Sequence, residues 1–336
     1  MRDTQCRAKR PTDAVGSCGN RQNIQHTISI GKIHVLIIFY QKKETMNILY
    51  LVFGDNLNVH LQVEFSILTL LHELTEQDKV HVITTHTSYY EHLKNHIHLI
   101  PISEQTLMEW RGKHDFFWRA KIKAIEHIAQ EYPNEDFMYL DGDTFLIDSI
   151  APIKQKLQEG YGMMHLNEGH PKDMMTKSLR MWKAIKGHTY QGVTLGEQHE
   201  MWNAGVVAIP GSQLTETIAL ALSICDGMLD DQAEPIVIEQ YSLSIALYER
   251  THLIEAKPWI GHYWGNKDEW LTYISHFFLY SLTTGRSVEE EILAVSNNKD
   301  YCQIPIHIKV PNAKKKLLKL LNRIFPNKAT FIVTER

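Results

Sequence analysis

The sequence predicts an α/β fold in which a mostly parallel central sheet is flanked by helices. Short apolar runs alternate with longer segments that carry apolar residues at helical spacing, and this alternation is typical of parallel sheets. One apolar run, Phe137–Leu140, leads directly into Asp141-Gly142-Asp143, and a second apolar run follows. A run without polar alternation indicates a strand buried on both faces. The 336 residues suffice for one large domain or two small ones.

The first predicted elements follow a segment of different composition. Residues 1–45 are rich in Arg, Lys, Gln and Asn and show no sustained period, so we expect a disordered or non-native extension there. An apolar run starts at Met46, and Ile48–Phe53 is predicted to be the first strand. Gly54-Asp55-Asn56 would form the next turn. Apolar residues at helical spacing then predict a helix over Val59–Leu74.

The next elements lead to the acidic triplet. Apolar runs predict strands over Lys79–Thr84 and Leu99–Ile102, and a stripe of apolar residues predicts a helix over Phe116–Gln130. The strand that follows would place Asp141 and Asp143 at its carboxyl end. Open α/β sheets bind ligands at that edge, so the triplet is the candidate site.

Beyond the triplet the alternation continues around a long polar segment. Residues 169–200 are polar and interrupted by glycine, and they show no clear periodicity. Such a segment indicates a partly helical loop that lies over the site. The other elements expected here are a helix at 150–158, strands at 162–166 and 206–209, helices at 213–229 and 235–248, a His- and Trp-rich turn at the end of 254–264, and a helix at 269–282.

Composition and charge exclude several classes of protein. The net charge of -4 argues against a general nucleic-acid binder. The four cysteines are far apart, which fits a reducing compartment and no disulfide framework. No apolar run approaches the length that crosses a bilayer. We therefore expect a cytoplasmic protein.

The C-terminal segment 308–328 carries Lys and Arg but no acidic residue, and its apolar residues fall at helical spacing. A basic amphipathic helix suits an anionic membrane surface, which predicts peripheral contact with the inner face of the membrane. The same stripe would equally suit an ordinary helix docked on the core. The expected organisation is an extension over 1–45, a folded domain over 46–285 and a basic tail over 286–336.

The acidic triplet has a specific chemistry. Asp141 and Asp143 can reach the same point if Gly142 bends the chain. Two close carboxylates repel, and a hard divalent ion such as Mg²⁺ or Mn²⁺ removes that cost while keeping positions open for phosphate oxygens. The triplet therefore predicts a metal–diphosphate site. The alternative is a turn with two solvated aspartates, since Asp-Gly is a common turn pair.

Several stretches together resemble the GT-A glycosyltransferases, and most closely the retaining family 8 group. The resemblance runs from about Met46 to about Trp270 and rests on the order of six short motifs. They are Asp55-Asn56, Phe117-Trp118-Arg119-Ala120-Lys121, Tyr139-Leu140-Asp141-Gly142-Asp143, Trp202-Asn203-Ala204-Gly205-Val206, Glu239-Gln240 and His262-Tyr263-Trp264-Gly265-Asn266-Lys267. The resemblance implies a GT-A-type domain over 46–285. It also implies transfer of a hexose, with retention, from a nucleotide-diphosphate sugar such as a UDP-hexose to a glycan or glycolipid.

The resemblance also implies roles for individual residues. Asp141, Asp143 and His262 would hold Mn²⁺ or Mg²⁺. The residues implied to bind the donor are Asp55, Asn56, Arg119, Lys121, Asn203, Ala204, Gly205, Gly265 and Lys267. Those implied to act at the reacting sugar are Glu239, Gln240 and Arg119.

The chain departs from the family pattern at three positions. Asn58 stands where the family usually has Tyr, and Glu239 stands where it has Asp. Only Asn266 separates Gly265 from Lys267, where two residues are usual. These differences affect the expected contact with the nucleotide base, the sugar choice and the phosphate geometry, but they leave the acidic pair unchanged.

Two other functions remain open. A phosphotransferase of the haloacid-dehalogenase type also has Asp-x-Asp after a strand, but it normally carries Thr or Val where this chain has Phe145. A non-catalytic sugar- or membrane-binding protein could keep the same fold. The individual residues also have ordinary explanations as turn residues, helix charges or structural histidines.

Overall fold

The computed structural model describes residues 26–30, 33–37, 45–174, 176–307, 317, 320–321 and 323–324. The chain divides into two compact units, Met1–Lys43 and Glu44–Arg336. In the first unit, strands His26–Ile30 and Ile33–Ile37 pair antiparallel. Most of the segment for which the sequence predicts an extension lies outside the described residues.

A seven-stranded sheet forms the centre of the second unit. Its strands are β1 (Met46–Val52), β2 (Lys79–Thr84), β3 (His98–Pro101), β4 (Asp136–Leu140), β5 (Tyr161–Met164), β6 (Val206–Ile209) and β7 (His252–Glu255). Their order across the sheet is β7-β5-β6-β4-β1-β2-β3. Only β6 runs antiparallel to its neighbours within this sheet. The predicted mixed, mostly parallel sheet is therefore confirmed.

Helices cover both faces of this sheet. They are α1 (Leu57–Leu71), α2 (Glu104–Trp110), α3 (Arg119–Glu131), α4 (Ala151–Gln158), α5 (Thr176–Ile185), α6 (Leu214–Asp230), α7 (Ile238–Arg250), α8 (Lys267–Thr284) and α9 (Val288–Asn297). One core lies under α3, α5, α6 and α7, and the other lies under α1, α4, α8 and α9. Successive residues of a strand point to opposite faces, so each strand contributes to both cores.

Short two-stranded ribbons shape the carboxyl edge of the sheet. Thr144–Leu146 pairs antiparallel with Ile260–His262, and Thr144 lies opposite His262. This pairing places His262 beside the acidic triplet Asp141-Gly142-Asp143. A second ribbon joins Asn167–Gly169 to Met201–Trp202 and so connects the segments that follow β5 and precede β6.

Three of the numbered elements were not predicted from the sequence: α2, α9 and the edge strand β7. The polar segment 169–200 contains α5, whose Met181 and Trp182 are buried in the core under α6 and α7. This segment is therefore anchored by packing, and not only by its ends. Residue 175 lies outside the described residues.

The chain after α8 also packs on the domain. Val295 of α9 and Tyr301 are buried in the second core. Most of 308–328, where the sequence predicts a basic helix, lies outside the described residues. Those described there, Leu317, Leu320, Leu321, Arg323 and Ile324, are helical and exposed. Among the helices that the structure describes, none combines the length and apolarity needed to cross a bilayer.

Candidate active site

Two carboxylates and an imidazole converge at the carboxyl end of β4. Asp141 and Asp143 follow the strand directly, and His262 ends the ribbon strand opposite Thr144. One ligand atom from each of these three residues lies within 4.8 Å of the other two. The Nε2 atom of His262 is 3.3 Å from Oδ1 of Asp143. Three residues predicted as a metal site are thus brought together by tertiary pairing.

Lys267 completes the charge balance around Asp143. Its Nζ lies 2.8 Å from Oδ2 of Asp143, and its side chain is half exposed. Burial raises the pKa of Asp143, but hydrogen bonding to His262 and the charges of His262 and Lys267 outweigh this effect. The net pKa of Asp143 is well below its ordinary value, so the carboxylate is anionic and available to a cation at neutral pH.

Lys121 lies buried beneath the cluster and joins two carboxylates. Its Nζ is 3.1 Å from Oδ1 of Asp141, 3.1 Å from Oε1 of Glu239, and 3.2 Å from the carbonyl oxygen of Ala204. Burial lowers the pKa of Lys121, but the two carboxylates raise it above its ordinary value. Burial raises the pKa of Glu239 by more than Lys121 lowers it. Two acids therefore share one ammonium group.

An amide network lies on the other side of the cluster. Asn203 Nδ2 donates to Oε1 of Glu168 at 3.0 Å, and Gln240 Nε2 donates to Oε2 of the same carboxylate at 3.0 Å. The Oδ1 atom of Asn203 is 3.1 Å from Nδ1 of His262. The network thus reaches from α7 through Glu168 to the candidate metal ligand.

Glycine at position 205 allows this arrangement. A Cβ at Gly205 would lie 2.2 Å from Cε1 of His262 and 2.3 Å from Nδ1, closer than real Cβ atoms approach. The imidazole therefore packs directly on the backbone. A buried neighbour, His165, meets the His262 ring edge-on with the ring centroids 5.0 Å apart.

Arg119 is paired with another helix. Its Nε and Nη2 donate to the two carboxylate oxygens of Asp226 on α6, at 2.6 and 2.9 Å. Its Nη1 donates to the carbonyl of Trp110 at 2.8 Å. The guanidinium predicted to contact the donor is thus occupied by protein groups that connect α2, α3 and α6.

The remaining predicted residues have local roles in the fold. Asp55 is exposed just after β1, and Asn56 caps α1 by accepting a hydrogen bond from the Asn58 backbone N–H at 3.1 Å. A Cβ at Gly265 would lie 2.2 Å from Cδ2 of His307, so this glycine permits close chain packing.

The residues present fit a hard or borderline divalent cation. Two carboxylate oxygens and one imidazole nitrogen are ligands that Mn²⁺ or Mg²⁺ accepts, and they leave positions for phosphate oxygens. A structural zinc site would instead close a tetrahedron with four protein ligands. Within the described chain, the only group of three or more suitable ligands is Asp141, Asp143 and His262.

Sequence reasoning missed Glu168 and His165. Glu168 lies just before the polar segment 169–200, where no periodicity singled it out. His165 is one of 19 histidines with no distinguishing spacing. Burial and the charge of His262 lower the pKa of His165 to about 4, so this ring is neutral at physiological pH.

Comparisons with known proteins give distant structural neighbours. No family model and no curated protein sequence matches the chain. A solved structure of the galactosyltransferase LgtC with donor and acceptor sugar analogues has 16% identity and a TM-score of 0.42, and the match covers 63% of this chain and 73% of that one. An active-site mutant of LgtC has the same identity and TM-score, with 63% and 72% covered.

A third neighbour is the apo form of mouse xyloside xylosyltransferase 1. It has 10% identity and a TM-score of 0.42, and the match covers 63% of this chain and 84% of that one. These neighbours are glycosyltransferases, and at such values none of their substrates is assigned to this chain by similarity.

Proposed function

We propose that the chain is a metal-dependent GT-A-type glycosyltransferase of the family 8 kind. It moves a hexose, with retention, from a UDP-linked sugar to a glycan or glycolipid acceptor. The observation that carries this proposal is the convergence of Asp141, Asp143 and His262 at the carboxyl edge of the sheet. That edge is where open α/β folds bind their ligands.

The cation would be held by these three residues. When bound, it supplies a Lewis acid that stabilises the departing nucleoside diphosphate. Lys267, which is half exposed beside Asp143, is placed to add a positive charge for phosphate oxygens. These two charges supply the leaving-group stabilisation that such a transfer needs.

The sugar would lie against small residues and amides. We assign the hexose to the surface formed by Asn203, Ala204, Gly205, Glu239 and Gln240, with the nucleoside near Asp55 and Asn56. Gly265 lets the segment that carries Lys267 pack closely against His307. Arg119 and Lys121 are engaged by protein carboxylates, so we assign them to holding α6 and the Asp141–Glu239 pair in place.

A donor-hydrolysis assay tests the proposal. UDP release would be measured with UDP-glucose, UDP-galactose and their N-acetyl forms, with Mn²⁺ and with a chelator. We expect release with at least one donor, dependent on the metal and abolished in Asp143→Ala. The matched control is Asp148→Ala, because Asp148 is an exposed aspartate that follows Asp143 closely in the chain.

Two outcomes would contradict the proposal. UDP release by Asp143→Ala at the wild-type rate would contradict the assignment of Asp143 as a metal ligand. Release of phosphate from phosphomonoesters without any nucleotide-sugar turnover would instead favour the haloacid-dehalogenase alternative.

We also propose that the basic C-terminal segment contacts an anionic membrane at its cytoplasmic face. The support is the charge of 308–328 and the exposed apolar side chains of Leu317, Leu320, Leu321 and Ile324. Flotation with phosphatidylglycerol vesicles should recover the protein, whereas phosphatidylcholine vesicles should not. Replacing Lys314, Lys315 and Lys316 with Gln should abolish recovery, and unchanged recovery would contradict this contact.

A further inference from the structure

We propose that Trp118, supported by Phe117, is the surface on which the base of the nucleotide donor stacks. The inference rests on the proposed function, because it concerns the part of that site that would receive the base. It goes beyond placing the nucleoside near Asp55 and Asn56, which provides no partner for the flat face of a base. The indole of Trp118 provides that face.

Three consecutive aromatic residues lead into α3, and they are buried to different extents. Phe116 is buried in the core under α3, α5, α6 and α7. By contrast, 38% of Phe117 and 50% of Trp118 are exposed, and their ring centroids are 5.0 Å apart. Scattered apolar side chains are normal on a surface, whereas adjoining ones mark places that a ligand or partner covers. The exposed pair is therefore a candidate binding surface.

The geometry of α3 places Trp118 at the mouth of the candidate site. Trp118 is the N-cap of α3 with helical backbone angles, and its carbonyl accepts from the backbone N–H of Lys121 at 3.1 Å. Residues three apart on a helix are neighbours on its surface. The Nζ of Lys121 lies 3.1 Å from oxygens of both Asp141 and Glu239. The exposed indole therefore stands one helical turn from the buried ammonium group that joins these carboxylates.

Phe117 connects this indole to the end of β1. Its ring meets the rings of Phe53 and Trp118 edge-on, with the centroids 5.2 and 5.0 Å apart. Phe53 directly follows β1, which pairs parallel with β4, so Phe53 leaves the sheet at the same edge as the acidic triplet. Phe53, Phe117 and Trp118 form an aromatic row. This row runs from the region assigned to the nucleoside to the mouth of the site.

Protein contacts hold the aromatic row in place. Arg119, the residue after Trp118, donates through Nε and Nη2 to both carboxylate oxygens of Asp226, at 2.6 and 2.9 Å. The Cζ atom of Arg111 lies 5.2 Å from the centre of the Phe117 ring. A surface that is already ordered loses little conformational freedom when a ligand binds to it. The pairing of Arg119 with Asp226 thus gains a second role, which is to hold the indole.

The chemistry of the row suits a planar base better than a sugar. Phenylalanine has no hydrogen-bonding group, and tryptophan has only the indole N–H, which donates. The hexose is assigned instead to amides and a carboxylate, which can bind its hydroxyl groups. Every base has a π-face, and stacking on an aromatic side chain requires no other group. The row therefore complements the polar part of the site.

The test compares UDP with inorganic pyrophosphate, each titrated calorimetrically with Mn²⁺ present. Both ligands carry a diphosphate, but pyrophosphate has no nucleoside. We expect Trp118→Ala to weaken UDP binding about 5–100-fold and to leave pyrophosphate binding unchanged. Trp118→Leu keeps apolar bulk without a flat face, so it should resemble Trp118→Ala. Trp118→Phe keeps a ring and should retain most of the affinity.

A second readout requires neither a metal nor turnover. In protein labelled with 5-fluorotryptophan, the ¹⁹F signal of Trp118 is assigned from the spectrum of Trp118→Phe. Uridine should shift this signal, whereas methyl glucoside should not. The matched control is Tyr280→Ala on α8, because Tyr280 is exposed to the same extent, at 51%. This variant should bind UDP with the wild-type affinity.

The outcomes separate this inference from the proposed function. Wild-type affinity for UDP in both Trp118→Ala and Trp118→Leu, or an equal loss for pyrophosphate, would overturn the stacking role and leave the proposed enzyme intact. A Trp118 signal that responds to methyl glucoside but not to uridine would also overturn it, in favour of a sugar at this surface. Wild-type protein that binds neither UDP nor pyrophosphate would refute the proposed function and the stacking role together.

Discussion

Gly205 shows how a single residue supports the site. The family resemblance implies that Asn203, Ala204 and Gly205 bind the donor. In the structure, the missing side chain of Gly205 is what allows the His262 ring to pack on the backbone. The packing of His262 therefore explains why glycine is needed at position 205, whether or not a ligand binds there.

We predict that Gly205→Ala destabilises the protein through a clash with His262. Overpacking of this kind costs about 1–3 kcal/mol. In a His262→Ala background the added methyl has room, so the same substitution should cost little. Urea unfolding of the two single variants and the double variant measures this coupling. Equal costs in both backgrounds would show that the ring is not the group displaced.

Lys121 is a buried cation that compensates two carboxylates. We predict that Lys121→Met lowers the free energy of unfolding by about 3–5 kcal/mol, because it leaves Asp141 and Glu239 uncompensated. Chemical denaturation at neutral pH measures the loss. The control Lys123→Met removes a more exposed pair with Glu126 and should cost less than about 1 kcal/mol. Similar losses in both variants would contradict a special role for the buried lysine.

At the scale of elements, α9 is a helix whose start is defined by side chains. Ser287 and Glu290 form a capping box, in which each side chain accepts a hydrogen bond from the backbone of the other. Val295 then packs this helix on the second core. The segment after 285 was predicted to be a tail, but its first part contributes to the folded unit.

We predict that Ser287→Ala lowers the free energy of unfolding by about 1 kcal/mol, because an N–H at the helix start loses its acceptor. Thermal or urea unfolding measures the change. Ser296→Ala, in the last turn of the same helix, should have no such effect, since its hydroxyl donates to the Leu293 carbonyl and does not cap an N–H at the helix start. Equal effects at both positions would exclude capping as the cause.

The edge strand β7 was not predicted because it is short. β7 has four residues, of which only Leu253 and Ile254 are apolar, and it pairs at the sheet edge with β5 alone. A run of two apolar residues carries no periodic signal. The prediction for 169–200 was incomplete for another reason. Its Trp182 packs against Tyr241 and His170, contacts that only the fold creates.

At the scale of the whole molecule, buried histidines make stability depend on pH. His81 on β2 is buried, and its Nε2 lies 2.9 Å from Oδ1 of Asn47. Burial, together with the charges of His98 and Lys79, lowers its pKa to about 3. The unfolded chain, with a histidine pKa of about 6.5, binds the proton first as the pH falls. The neutral ring therefore contributes stability above pH ~6.5 that is lost progressively as the pH falls towards the folded-state pKa.

We predict that His81→Gln reduces the loss of stability between pH 7 and pH 5 by about 2 kcal/mol, because glutamine keeps a donor for Asn47 but does not titrate. Urea unfolding at both pH values measures the difference. The exposed His72, changed to Gln, should leave the loss unchanged. A full wild-type loss in His81→Gln would show that other groups cause the acid sensitivity.

The sequence by itself determined the sheet and the acidic edge of this protein. An apolar run such as Phe137–Leu140 is typical of a strand covered on both faces. The residues that directly follow a parallel strand lie at the carboxyl edge of the sheet, where ligands bind. Only the tertiary structure decided that Arg119 pairs with Asp226 and that Glu168 joins Asn203 to Gln240. Periodicity reports which face of an element is buried, whereas the partner of a polar side chain depends on distances between elements far apart in the chain.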